Sequence, residues 1–547
     1  MSVERCNLTV LKPLELLVIS MVSWYNSNMK KDVKTTENLH EIIAKQDARI
    51  TELETLVKFY EEQFRLFQHR KFGSSSEKSE YDQIDLFNEA EATADESVPE
   101  PVLTEVEAHY RKRSRLMTDK LPDDLPVVTI EYDLSADDRD CPECGGDMHV
   151  MGTETRYGLR IIPAKVEKVE HVRKVYACRK CEKDSDGVPI LKAALNDPVI
   201  KGSFAEPEAI AHIMTQKFVM GAPLYRQEQD LNRNGIMLSR QTMSNWLLKA
   251  TEQWLEPIYE ALMEMLCSRQ VLHSDETTLQ VLREPGKSAQ SKSYIWLYRT
   301  GSDATHPIVL FEYQPDRKAS RPATFLKDFS GYLHTDGYEV YHKLHDSITV
   351  VGCWSHARRK FDEALKSLPP KERNGSNPQI GKQLCDKLFE LEKAYADLVP
   401  EVRYKNRLKF SKPVVDELYA WASSLNAIPK SGLGKAVYYL LSQRKYLENF
   451  LLDGRLELSN NRAERSIKPF VIDRKNFLFA NTPRGAKASA IMFSLIETAK
   501  ENGLNPFKYL TYIFKHAPNM EDLRVDKEAV RCFFPEFVPK AIKASSR

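Results

Sequence analysis

Asp275 in V-L-H-S-D-E-T-T, Asp336 in G-Y-L-H-T-D-G-Y and Glu464 in L-S-N-N-R-A-E-R-S-I-K-P-F lie far apart in the chain. The first two end or interrupt apolar, strand-like runs, and the third opens a helix-like segment rich in Arg and Lys. Carboxylate oxygens are hard ligands, and three carboxylates gathered by folding can hold two divalent cations. Such a site cuts and joins phosphodiesters. Each acid also has a local explanation. Asp336-Gly337 is a common turn dipeptide. Glu464 stands three residues after Asn461 and could close a capping box. Asp275 neighbours Glu276, and adjacent strand residues point to opposite faces, so one of the two could merely face solvent. Taken jointly, in this order and on these elements, the metal reading is favoured.

A second constellation is Cys141 and Cys144 in C-P-E-C-G-G, followed by Cys178 and Cys181 in C-R-K-C. Each C-x-x-C turn aims two thiolates at one point, and four such sulfurs form a closed, structural Zn²⁺ site. Between the pairs, Tyr157 to Ile162 and Val166 to Tyr176 read as two strands around Pro163, a hairpin able to bring the pairs together.

The acids need a scaffold. Val271 to Leu282 reads as a buried strand carrying Asp275; Tyr294 to Thr300 and Pro307 to Tyr313 complete an antiparallel meander. A fourth strand ends at Asp336. A fifth, Ile348 to Cys353, runs into the helix start W-S-H-A-R-R-K-F. Three meander strands, a crossover and two further strands with helices is a ribonuclease-H-like α/β layout. In it the first acid sits on the first strand, the second just after the fourth, and the third on a later helix. Ile380 to Leu398, Leu408 to Leu425 and Gly434 to Leu452 read as helices of an insertion at about 365–455.

Upstream, Leu39 to Phe67 follows a heptad, with Ile43, Ile50, Val57 and Phe64 at one apolar position and Leu39, Leu53, Tyr60 and Phe67 at the other; Gln46 is the polar exception. A two-stranded parallel coiled coil and an amphipathic helix packed on its own domain both fit. Pro223 to Asn234, a turn at Gly235 and a second helix capped by Ser239 have helix-turn-helix grammar, or that of a packed αα-hairpin. The expected divisions are 1–34, an N-terminal extension; 35–80, coiled coil; 81–120, acidic linker; 121–192, zinc module; 193–255, helix-turn-helix-like; 256–490, catalytic; and 491–547, C-terminal helical. The fold class is therefore multidomain α/β.

The bulk numbers are those of a globular protein: 547 residues, 42% hydrophobic, 29% charged and a net charge of +1. That balance gives no global sign of nucleic-acid binding, so a DNA surface must come from local charge. Candidates for phosphate contact are Arg465, Lys468, Arg474 and Lys475 after Glu464, His356, Arg358 and Arg359 at the other helix start, and Arg240. The apolar run Leu14 to Tyr25 is too short to span a bilayer. Four of the nine cysteines sit in the two pairs and the rest are scattered, which fits a reduced cytoplasm and not a disulfide framework.

H-S-D-E-T, T-D-G-Y, C-W-S-H-A-R-R-K-F and S-N-N-x-A-E-R-x-I-K-P together resemble the bacterial transposases of the insertion sequence sixty-six family. F-G-S-S-S-E-K after the heptads, the two cysteine pairs and P-L-Y-R-Q-E extend the resemblance to about residues 35–530. Met1 to about Lys34 lies outside the pattern, with Met29 an alternative start. The resemblance implies an acidic triad of Asp275, Asp336 and Glu464, Mg²⁺ or Mn²⁺, DNA terminal inverted repeats and target DNA as partners, and small accessory proteins of the same element. The expectation is DNA cleavage and strand transfer by a homodimer or higher synaptic complex. A structure-selective nuclease or resolvase, or a non-catalytic DNA-binding regulator, are the alternatives.

Overall fold

The computed structural model describes residues 196–520 and 523–543, with parts of 43–64, 166–177 and 190–192. Cys141, Cys144, Cys178 and Cys181, the acidic linker and the N-terminal extension lie outside the described residues. So do Leu39 and Phe67 of the heptad run. Residues described within 43–64 are helical, as the heptads require. Val175–Ala177 is strand, and it pairs antiparallel with Ile190–Lys192. The hairpin partner of this strand thus follows Cys178 and Cys181 in sequence. Val166 to Val172, expected as strand, is not regular structure.

Five strands form the central sheet: β1 (Val271–Gln280), β2 (Lys292–Thr300), β3 (Val309–Gln314), β4 (Gly331–His334) and β5 (Ile348–Val351). Their order is β3-β2-β1-β4-β5. The first three are antiparallel, and β4 and β5 continue the sheet in parallel. β2 is apolar on both faces in sequence, and Ile295, Trp296, Leu297 and Tyr298 are all fully buried.

Helices cover the sheet. Upstream are α1 (Pro207–Phe218), α2 (Leu224–Arg233), α3 (Arg240–Ala250) and α4 (Glu256–Cys267). Gly235 takes the left-handed turn between α2 and α3 (φ +78), and the Ser239 hydroxyl accepts from Thr242 N (3.1 Å) to start α3. A π-turn at Thr251–Leu255 runs α3 into α4.

After β5 come α5 (Trp354–Ser367), α6 (Asn377–Ala394), α7 (Lys412–Ser424) and α8 (Gly432–Ser442). They share a second hydrophobic cluster around Trp354, Phe361, Leu418 and Leu440. The chain then returns through α9 (Asn461–Phe477), α10 (Pro483–Glu501) and α11 (Pro506–His516). α10 covers the β3 edge: Thr498 Oγ1 takes Val309 N (3.0 Å) and Ser494 Oγ takes Phe311 N (2.7 Å). Pairing these edge groups with hydroxyls closes the sheet to further strands.

Two expected elements differ. Regular β4 ends at His334, two residues before Asp336, although Thr335 N still donates to Val351 O (3.1 Å). The single helix expected over Gly434 to Leu452 breaks after Ser442 into short turns at Arg444–Leu447 and Glu448–Leu451. The break lets Tyr446 O accept from Gly352 N, Leu447 O from the Trp354 indole (both 2.9 Å) and Val350 O from Asn449 Nδ2 (2.8 Å). These bonds tie the helical segment to the end of β5.

Gly434 sits where a Cβ would lie 1.9 Å from Ile428 O. Gly434→Ala is expected to cost about 1–3 kcal/mol. A lower melting temperature with an unchanged far-ultraviolet spectrum checks it.

Candidate active site

β1 and β4 deliver the two aspartates side by side. In their parallel ladder His273 pairs with His334. The ladder ends at this pair; Asp275 and Asp336 each follow it by two residues, and the Asp336 charge acts on the Asp275 carboxyl. Alternation along β1 puts His273 and Asp275 on one face, and the His334 ring stacks on that of His273. α9 packs against β1 and brings Glu464 in its first turn.

The acids feel one another. Burial first, then the Glu276 and Asp336 charges, with a smaller contribution from Glu464, holds the Asp275 carboxyl well above the usual carboxylate range. Asp275 Oδ1 accepts from Glu276 N (2.8 Å). Asp336 Oδ1 accepts from Tyr338 N (2.9 Å), and Gly337 is left-handed (φ +90). The Asp-Gly turn is therefore real, and it holds Asp336 beside Asp275. The capping box is not formed. Asn460 is the N-cap, with no side-chain cap, and the Glu464 carboxylate turns to His356 Nδ1 and Arg359 Nη2, each at 3.8 Å.

Glu276 does not face solvent. Its side chain is 2% exposed, paired with Arg317 and bonded by the Tyr341 hydroxyl (2.5 Å). Burial, then Asp336, raises its pKa as well. It is a fourth carboxylate at the edge of the site.

Beneath the acids lies a buried polar layer. The His273 and His334 rings stack at 4.3 Å and 11°, both fully buried. His334 Nε2 accepts from Glu457 N (3.2 Å). Burial and then the adjacent His273 push His334 well below the usual histidine range, so its ring is neutral. Cys353, His356 and Glu464 present ligand atoms within 4.8 Å of one another. Burial pushes the Cys353 thiol up to about 11, so it is protonated at neutral pH.

The basic residues divide. Arg465, Lys468 and Lys475 are exposed, and with Ile472 their three- and four-residue spacing makes one stripe along α9 that starts beside Glu464. Arg474 is turned inward: it donates to Thr278 O, Thr278 Oγ1 (3.0 Å) and Thr277 Oγ1 (3.2 Å), clamping α9 to β1. That work holds the helix in place and leaves its guanidinium poorly placed for phosphate. Arg358 pairs with Asp386 on α6, and Arg359 faces Glu464. Further along, Arg484 pairs with Glu252 and Lys487 with Glu256, so these charges are neutralised within the fold. Arg240 is exposed at the start of α3, 3.8 Å from Glu228.

Residues 202–488 match the model of the Transposase IS66 family. This chain belongs to the IS66 transposase family. Family models for its zinc-finger binding domain match 138–182 and for its C-terminal element 494–527; one described as transposase C of IS166 homeodomain matches 60–130. Relatives in Sinorhizobium fredii (strain NBRC 101917 / NGR234) are uncharacterized. Protein y4jD is 31% identical over 72% of this chain and 77% of its own length, and protein y4qI 30% over 68% and 69%. Protein y4hP is 29% identical over 80% and 82%. IS66 membership makes this chain a DNA-transposing enzyme with DNA as its partner. Among the described residues no helix is long and apolar enough to cross a membrane.

Sequence reading passed over His273, His334, Asn460 and Glu276 as members of this IS66 site. A signal was available. H-S-D at 273–275 and H-T-D at 334–336 repeat one pattern, and period two puts each His beneath its Asp.

Proposed function

We propose that this IS66 protein cleaves transposon ends and joins them to target DNA at a site formed by Asp275, Asp336 and Glu464. The observation that supports the reading is that the Asp336 and Glu464 charges both act on the buried Asp275 carboxyl, Asp275 on β1, Asp336 just past the end of the neighbouring β4, and Glu464 on α9, which packs on β1. The strand order β3-β2-β1-β4-β5, antiparallel then parallel, supports a ribonuclease-H-like core.

The donor set fits hard divalent cations. It is all oxygen, and the Asp275 carboxyl is raised first by burial and then by the Glu276 and Asp336 charges, a cost that a bound cation would offset. Two Mg²⁺ or Mn²⁺ ions held there would supply charge stabilisation to the entering and leaving oxygens of an in-line displacement. Asp275, Asp336 and Glu464 would hold these ions. Glu276 is kept from the cations by Arg317 and Tyr341. His356 and Arg359 flank Glu464 and would contact a phosphate bound beside it.

The α9 stripe of Arg465, Lys468 and Lys475 would lead DNA to the acids, and the exposed start of α3 with Arg240 would contact it elsewhere. A Cys141, Cys144, Cys178, Cys181 site would hold structural Zn²⁺. Coiled-coil pairing through residues 39–67 would join two chains for synapsis.

An end-labelled oligonucleotide carrying the element's terminal repeat, incubated with supercoiled target and Mg²⁺, tests the reading. Joined product is expected. Nicks alone would make the protein a nuclease, and repeat binding with no cleavage in either Mg²⁺ or Mn²⁺ would make it a regulator.

Arg465→Ala and Lys468→Ala are each expected to weaken end binding across all sequences and to lower the salt slope by about 1. Electrophoretic titrations at several salt concentrations measure it.

A further inference from the structure

Asn460 is fully buried and touches three elements. Its Nδ2 donates to Ser274 O (2.8 Å), the carbonyl just before Asp275. That bond fixes the amide's orientation, so Oδ1 faces His273 Nδ1 (3.0 Å) and accepts from it. Its backbone N–H donates to Cys353 Sγ (3.2 Å), at the start of the helix carrying His356 and Arg359. Its own carbonyl accepts from Glu464 N (3.2 Å), closing the first turn of α9.

An Asn at an N-cap ordinarily accepts from a backbone N–H of its own helix, a bond worth about 1 kcal/mol. Here it makes no such bond. Both ends of the amide go to β1 instead. Asn460 thus lies one residue from Asp275 on one side and one helical turn from Glu464 on the other.

We propose that Asn460 is the positioning residue of the IS66 site: by tying the first turn of α9 to the β1 backbone beside Asp275, it sets the separation of the Asp275 and Glu464 carboxylates and so the grip on Mg²⁺. This rests on the phosphoryl-transfer reading above. Mg²⁺ demands near-ideal octahedral geometry, so a small drift of one carboxylate is felt as weaker metal use. Groups that orient metal ligands typically contribute about ten- to a hundredfold in affinity or activity.

The test uses full-length protein and two variants. Asn460→Ala removes the tie and leaves a poor helix start. Asn460→Ser removes the tie and installs a favoured N-cap, which keeps the helix. Gly434→Ala, whose added Cβ would press on Ile428 and Pro429, serves as a destabilised control. Melting temperature, end binding in chelator and end joining against Mg²⁺ concentration are measured for each. Asn460→Ser strands Ser274 O and the His273 ring, so it is expected to melt below wild type, yet to bind ends normally and to need about ten- to a hundredfold more Mg²⁺ for half-maximal joining. Asn460→Ala should show the same shift, with Mn²⁺ restoring more activity than Mg²⁺ in both. Gly434→Ala should melt lower with the wild-type Mg²⁺ curve.

A wild-type Mg²⁺ curve in Asn460→Ser overturns the assignment and leaves the function reading standing. Wild-type protein inactive in both metals removes the function reading and the assignment with it.

Discussion

Asp275→Asn is expected to abolish end cleavage and joining while making the metal-free protein more stable. The two effects have one cause. Asp275 sits buried beside Asp336 and Glu276, with Glu464 near, and this holds its carboxyl well above the usual range. A raised carboxyl binds its proton more tightly in the folded state than in the unfolded chain. Its stabilising contribution is complete below the ordinary carboxylate pKa of about 4 and is lost as pH climbs through the raised value. At neutral pH the ionised, metal-free site is therefore under strain. Asn keeps the shape and the bond from Glu276 N and carries no charge.

In chelator, the variant's advantage in melting temperature should be small near pH 4 and grow toward neutral pH. In Mg²⁺ the order should reverse, because the wild-type site is stabilised by binding and the variant is not. Activity moves the other way. If Asp275 holds the catalytic cations as proposed, its loss should forfeit several kcal/mol of transition-state stabilisation, a loss of at least about a thousandfold. Single-turnover joining with pre-bound ends measures it. Joining within tenfold of wild type would sink the assignment of Asp275.

Arg407→Met gives the largest expected loss of stability. Arg407 is fully buried, and its guanidinium meets five acceptors. Nε and Nη2 bond the two Glu392 oxygens (2.8 and 2.6 Å). Nη1 bonds Phe450 O (2.9 Å) and Asp453 O (2.8 Å), and Nη2 bonds Leu456 O (2.7 Å). Methionine fills much of the volume but leaves Glu392 and the three carbonyls without these donors. Breaking a buried pair in this way costs about 3–5 kcal/mol. The double variant Arg407→Met/Glu392→Leu should recover part of it, since the stranded charge is gone. Because these carbonyls hold the chain just ahead of Glu457 and Asn460, the single variant should also raise the Mg²⁺ requirement of joining. Thermal melts and Mg²⁺ titrations of both variants decide it.

Residue types and short spacings settled much of this protein before any coordinates. β1 to β3 and the Ser239-capped helix were legible because alternation, a Gly turn and an N-cap are local signals. The three acids stood out for the same reason, and the IS66 motifs lie within a few residues of them. What chain-local reading could not reach is which groups meet across tens or hundreds of residues. Arg474 read as a phosphate contact because its charge is visible in sequence, while its partners Thr277 and Thr278 are not. The sequence likewise gives no sign that Arg484 pairs with Glu252 and Lys487 with Glu256, more than two hundred residues away. The expected Gly434 to Leu452 helix ran on because the bonds that break it come from β5 and α5. Asn461 read as the cap; the N-cap is Asn460, and its amide goes to Ser274 O and His273 on β1 instead. Local sequence thus determined which elements form and which side chains are chemically able, since those depend on neighbours along the chain. Tertiary packing alone decided which of those side chains are already partnered and which remain for DNA and metal, because a buried polar group must find its bond wherever the fold puts one.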